Sequence, residues 1–133
     1  MTGMPMKRLF IYPLLVARVI DGDTIVADID LGFDAWRRVR IRLADIDAPE
    51  MHGPTAIRGE AARQMLIRLI AKHRLGVVTG RAKLMVRTKL DGRGKQATSF
   101  RRYVGYLEGV DESGRAVDLN ERMVEAGHAL AMK

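Results

Sequence analysis

The sequence predicts an α+β fold that is mainly β: a small twisted barrel of about five short strands, with a helix inserted after the third strand and a short helix near the C-terminal end. Three observations carry this reading. Charged and apolar residues alternate at a period of two near residue 40, Asp21-Gly22-Asp23 separates two β-branched runs, and the apolar spacing lengthens to that of a helix only after residue 57.

Residues 14–20 and 24–29 are the two runs around Asp21-Gly22-Asp23, and Asp-Gly between such runs signals an antiparallel hairpin. Residues 36–43 give a third strand. Val39, Ile41 and Leu43 alternate there with Arg38, Arg40 and Arg42, so one face is apolar and the other cationic. From 57 to 71, Ala62, Met65, Leu66, Leu69 and Ile70 share one helical face, with Glu60 toward the start, Lys72 and Arg74 toward the end and Gly76 as the stop. Strand character returns at 84–88 and 103–107, separated by the turn-forming Asp91-Gly92-Arg93-Gly94-Lys95, which reads as an exposed flexible loop. A turn at 111–114 leads to a short strand near 115–117. Asp118 and Glu121 then form a capping-box pattern that opens a short helix ending at Gly127.

The chain of 133 residues fits one domain, 1–133, with residues 1–8 expected to be flexible. Its 23 Lys and Arg against 16 Asp and Glu give a formal charge of +7, which favours polyanionic partners. The absence of cysteine excludes disulfides, thiolate metal sites and cysteine nucleophiles, so a metal must be held by oxygen or histidine. The stretch 6–16 imitates a signal peptide, but its apolar run is short and no small-residue cleavage site follows, so a cytoplasmic location is expected. No run approaches the roughly 20 apolar residues of a membrane span.

Against this basic background, Arg42-Leu43-Ala44-Asp45-Ile46-Asp47-Ala48-Pro49-Glu50 sets three carboxylates just past the third strand, and Asp23 ends the first hairpin turn. Neighbouring strands bring the two segments together. Converging carboxylates repel unless arginines or a hard divalent cation balance them. Regular extension would put Arg42 and Asp47 on opposite faces, so a bend or bulge is expected between residues 44 and 46.

Val19-Ile20-Asp21-Gly22-Asp23-Thr24, then Arg42-Leu43, then Ile46-Asp47-Ala48-Pro49-Glu50, then Gly59-Glu60-Ala61 opening a helix, resembles the staphylococcal nuclease-like (thermonuclease) family over about residues 14–130. The resemblance implies a five-stranded OB-fold barrel that hydrolyses phosphodiesters of DNA or RNA with calcium and little sequence preference. It implies calcium ligation by the side chains of Asp23 and Asp47 and by a backbone carbonyl at Ala48. Glu50 matches the acid that activates water, and Arg42 the first of two phosphate-binding arginines. For the second, Arg93 keeps the family's Gly-Arg pair, whereas Arg102 directly enters a strand and is the choice here. Arg101 stands where the family has glycine, and Phe100 where the secreted prototype has tyrosine. Asp45 receives no role.

His52, His73 and His128 lack ligand spacing and read as structural or surface residues. Nucleic acid is the expected partner of a monomer. The rival reading is a non-catalytic nucleic-acid-binding OB module, and the water-activating carboxylate beside two acidic ligands favours catalysis over it.

Overall fold

The computed structural model describes residues 10–99 and 102–132. The expected flexible N-terminus and the departures at Phe100 and Arg101 lie outside the described residues. The elements are β1 (Ile11–Asp21), β2 (Thr24–Asp30), β3 (Trp36–Leu43), β4 (Ile46–Asp47), α1 (Ala56–His73), β5 (Gly76–Val78), β6 (Arg81–Thr88), β7 (Thr98–Ser99), β8 (Arg102–Val110), β9 (Ala116–Asp118), α2 (Leu119–Glu125) and β10 (Leu130–Ala131).

Five strands close the predicted barrel: β1 pairs with β2, β2 with β3, β3 with β8, β8 with β6, and β6 with β1. All these pairings are antiparallel except β3 with β8, which is parallel. Closure removes the exposed edges a flat sheet would leave. The alternation predicted for β3 is present: Ile41 and Leu43 are buried while Arg38 and Arg40 are exposed. Ala62, Leu66 and Ile70 of α1 join the barrel core with Leu14, Ile25, Leu84 and Leu107, and Met65 and Leu69 pack at its margin.

Several boundaries differ from expectation for local reasons. β1 begins at Ile11, ahead of Pro13, because at that level it pairs only with β6, where Pro13 lies opposite Met85. Helix α1 starts at Ala56, so Glu60 lies beyond its first turn and instead holds Arg63 and Gln64. The helix stops where Arg74 turns extended, and Gly76 opens β5 rather than serving as the stop. Among residues 91–95, Asp91 accepts hydrogen bonds from the Arg93 and Lys95 N–H groups, making a tight turn of the expected loop. Asp118 caps α2 through the Glu121 N–H, as its pattern predicts.

Two buried features lock α2 and α1 against the functional end. Asn120 is 2 % exposed; its amide accepts from the Leu107 N–H and donates to the carbonyls of Ala44 and Gly105. The Gly105 carbonyl also accepts from the Ala44 N–H at 2.8 Å, so this one amide braces the place where the end of β3 meets β8, and a buried group left unsatisfied there would cost about 1–3 kcal/mol. Gly22 is the second: a Cβ there would lie 2.7 Å from the Cβ atoms of both Ala48 and Ala62. Glycine therefore lets the first hairpin turn dock against α1 and the segment after β4.

Candidate active site

Asp23 sits in the turn between β1 and β2 and is nearly buried. Its Oδ2 accepts from the Ala48 N–H at 2.9 Å and its Oδ1 from the Thr24 hydroxyl at 3.2 Å. The Asp23 carbonyl in turn accepts from the Leu43 N–H at 2.7 Å, tying the turn to the end of β3. The hairpin and the acidic segment are thus joined by hydrogen bonds on both sides.

The expected break falls at Ala44 and Asp45, which form a turn between β3 and β4, with Asp45 in the left-handed region at φ 63°. Asp45 is anchored there by Lys89 Nζ at 2.6 Å and by the Tyr106 hydroxyl at 2.5 Å. Partial burial works against its charge, but these two partners outweigh it and hold its carboxyl below the usual range. Burial, and then the bond to Asp45, push the Tyr106 hydroxyl up to about 12. The role missing from the sequence is therefore mechanical: Asp45 fixes the bend that turns Asp47 toward Arg42.

Arg42 and the two acids meet at one atom. Its Nη2 lies 3.3 Å from Asp23 Oδ2 and 3.6 Å from Asp47 Oδ1, while Nη1 donates to the Leu43 carbonyl at 2.6 Å. Arg102 starts β8 and donates from Nη1 to the Thr24 hydroxyl at 3.3 Å and from Nε to the Ser99 carbonyl at 3.1 Å. Since Thr24 lies opposite Arg42 across β2 and β3 and also bonds Asp23, Arg102 reaches the same cluster. Arg93 does not. It points back to Asp91 at 3.8 Å, with its side chain 79 % exposed.

Glu50 is exposed, and among the described residues its carboxylate makes no hydrogen bond or ion pair. Its backbone, however, is held: the Thr55 hydroxyl donates to the Glu50 carbonyl at 2.8 Å, and α1 passes so close at Gly59 that a Cβ there would lie 2.3 Å from that carbonyl oxygen. Gly59→Ala must therefore push the Glu50 segment away. It is expected to speed amide exchange over residues 48–55 with the Asp23 and Arg42 contacts undisturbed; unchanged exchange there in a folded variant would contradict this placement.

Burial pushes the Asp23 carboxyl up to about 6, against the lowering effect of the Ala48 N–H; Asp21 adds to the rise and Arg42 opposes it. A carboxyl raised in this way stabilises the fold fully below its ordinary value near 3.8, and that contribution is lost as pH rises through about 6. In metal-free protein, Asp23→Asn is expected to raise stability at pH 7.5 by about 1–2 kcal/mol, with little effect at pH 4. Thermal denaturation at the two pH values checks it, and an Asn variant less stable at pH 7.5 would contradict it.

The donors fit a hard cation. Asp23, Asp47 and the Ala48 carbonyl are all oxygen, and an incompletely compensated buried carboxylate is what such a cation satisfies. Only two of these donors are side chains, and among the described residues no three His, Cys, Asp or Glu side chains gather into a metal cage. Of the histidines, buried His73 hydrogen-bonds the Val110 carbonyl through Nδ1 at 3.0 Å and has a structural role. Asp47 and Ala48 also line a cleft open to solvent, together with Pro49, Thr55, Arg58 and His128.

No protein-family model and no curated protein matches this chain, so its geometry must carry the functional reading. That geometry also supplies residues the sequence did not single out for the site: Thr24, Thr55, Gly59 and Asn120. The Gly59-Glu60-Ala61 motif pointed to Gly59 only as part of a helix start.

Proposed function

We propose that the chain is a metal-dependent nuclease that hydrolyses phosphodiester bonds of DNA or RNA. The observation that carries this is the meeting of Asp23 and Asp47 at the Arg42 guanidinium, with Arg102 joined to them through Thr24, and, among the described residues, an exposed Glu50 without a side-chain partner three residues past Asp47. The ordered motifs shared with staphylococcal nuclease-like proteins support the same reading.

Asp23, Asp47 and the Ala48 carbonyl would hold the cation, calcium by the resemblance. Bound there, a divalent cation supplies Lewis-acid polarisation of a non-bridging phosphate oxygen. Arg42 and Arg102 bind the phosphate through their planar forks and gain as negative charge accumulates in the transition state. Glu50 takes a proton from water as the new P–O bond forms and the bond to the leaving sugar oxygen breaks; solvent returns a proton to that oxygen. Because the fork of Arg42 also faces Asp23 and Asp47, phosphate binding and neutralisation of those acids are coupled.

Incubation of single-stranded DNA, duplex DNA and RNA with calcium, magnesium or a chelator tests the proposal. Cleavage that requires a divalent cation supports it. Binding without cleavage under every condition would replace it with the non-catalytic module.

A further inference from the structure

Residues 31–38 are all exposed, and they run from the loop after β2 into the start of β3. Leu31, Phe33 and Trp36 fall within this stretch, and Phe33 at its tip is fully exposed. The Phe33 backbone lies in the left-handed region at φ 55°, and Asp34 follows at φ 62°, a conformation that suits asparagine or glycine better than phenylalanine. The loop thus holds an aromatic ring in solvent on a backbone that disfavours it, with no packing in return. A neighbouring hairpin extends the apolar surface: β5 exposes Val77 and Val78, and Val78 shares a cleft with Trp36, Leu15 and Arg81. Contiguous apolar surface of this kind marks a place where something docks.

The charge around the patch selects the occupant. Exposed Arg37, Arg38 and Arg40 continue β3 directly behind Trp36. Asp28 lies between Arg38 and Arg81 and neutralises only one of those two charges, and Arg40 has no ion-pair partner among the described residues. The acids near the tip are Asp30, which accepts from the Gly32 N–H at 2.8 Å, and Asp34. A second copy of the chain would bring its own +7 charge and be repelled. A nucleic-acid strand would answer the arginines but offer no aliphatic surface to Leu31, Val77 and Val78. A bilayer of anionic lipids meets both demands at once.

We propose that the loop between β2 and β3 docks the protein on an anionic membrane surface, with Leu31, Phe33 and Trp36 entering the interface and the arginines behind them meeting lipid phosphates. Aromatic side chains favour the headgroup level, and cations close to it gain from the negative surface potential. Asp34 beside the ring keeps the insertion shallow. The candidate active site stays clear of the bilayer: Thr24 and Arg42 pair at one end of β2 and β3, and Asp30 and Trp36 at the other, about 20 Å away at the rise of an extended strand. At physiological salt the membrane's charge is screened beyond about 8 Å, so a docked protein still admits a polyanion at Arg42. Docking does not require the chain to be a nuclease.

The protein is titrated with vesicles of equal parts phosphatidylglycerol and phosphatidylcholine, and with vesicles of phosphatidylcholine alone. Cosedimentation measures binding, and Trp36, the one tryptophan of the chain, reports insertion by its fluorescence. Binding is expected to the mixed vesicles only, with the Trp36 emission shifted to the blue. Phe33→Asn suits the positive φ and should stay folded while losing at least about tenfold in affinity, the effect of one phenylalanine no longer buried. Arg40→Ala should lose about fivefold and Asp34→Asn gain about as much. Ile57→Ala removes another exposed aliphatic side chain, on α1, and should leave binding unchanged. A protein held by charge alone would bind the mixed vesicles without the emission shift and equally well as Phe33→Asn, and either result would overturn the proposal. So would an emission shift that grows with protein concentration in the absence of lipid, because the tip would then be meeting a second copy. Cleavage of nucleic acid by a protein that ignores vesicles would remove the docking and keep the nuclease reading; docking by a protein that never cleaves would do the reverse.

Discussion

Glu50→Gln is expected to slow hydrolysis by about 10²–10⁴-fold, the range for losing a general base. The amide keeps the shape of the side chain but cannot accept the proton of the attacking water. Glu50 is exposed and its carboxylate has no hydrogen-bond or ion-pair partner among the described residues, so stability should change by less than about 0.5 kcal/mol. Its backbone anchors, Thr55 and Gly59, act on the carbonyl and are untouched by the substitution. Single-turnover cleavage and thermal denaturation measured together check both parts. Full turnover would show that another group activates water, and loss of fold would show that Glu50 serves the structure.

Arg102→Ala is expected to lower turnover by about 10²–10³-fold, as loss of a donor to a developing oxyanion does elsewhere. Arg93→Ala should leave turnover within about twofold, because its fork is exposed and turned toward Asp91 in a weak surface pair. Arg102 differs because Ser99 and Thr24 hold its guanidinium beside Asp23 and Arg42 before any substrate arrives. Arg102→Lys should rescue little, since a point charge does not reproduce the two-pronged contact. Steady-state kinetics of the three variants decide the matter. A large loss in Arg93→Ala with a small one in Arg102→Ala would move the phosphate to the other loop.

The barrel was legible because its strands are written in local alternation. Arg38 and Arg40 face outward against Ile41 and Leu43, and Asp21-Gly22-Asp23 marks the hairpin without reference to distant residues. The bend at Asp45 was legible by necessity, since Arg42 and Asp47 could share a site only if extension failed between them. What holds that bend was not: Lys89 and Tyr106 are more than 40 residues away in sequence. Asn120 reads locally as an ordinary polar residue near a helix start, and only the fold places its amide among three backbone groups of the barrel. The start of β1 at Ile11, ahead of the run at 14–20, was not legible, because residues 11–13 are strand only through their pairing with distant β6.

The most direct measurement is cleavage of a single-stranded oligonucleotide against free calcium concentration at pH 7.5, in the unaltered protein and in Asp23→Asn, with thermal stability recorded in the same samples. Calcium is expected to raise both turnover and stability of the unaltered protein with a common midpoint. Asp23→Asn should remain folded, be the more stable protein without calcium, and show neither response. Cleavage that persists in chelator, or a calcium response undiminished in Asp23→Asn, would contradict the assignment of Asp23 as a ligand of the metal on which hydrolysis depends.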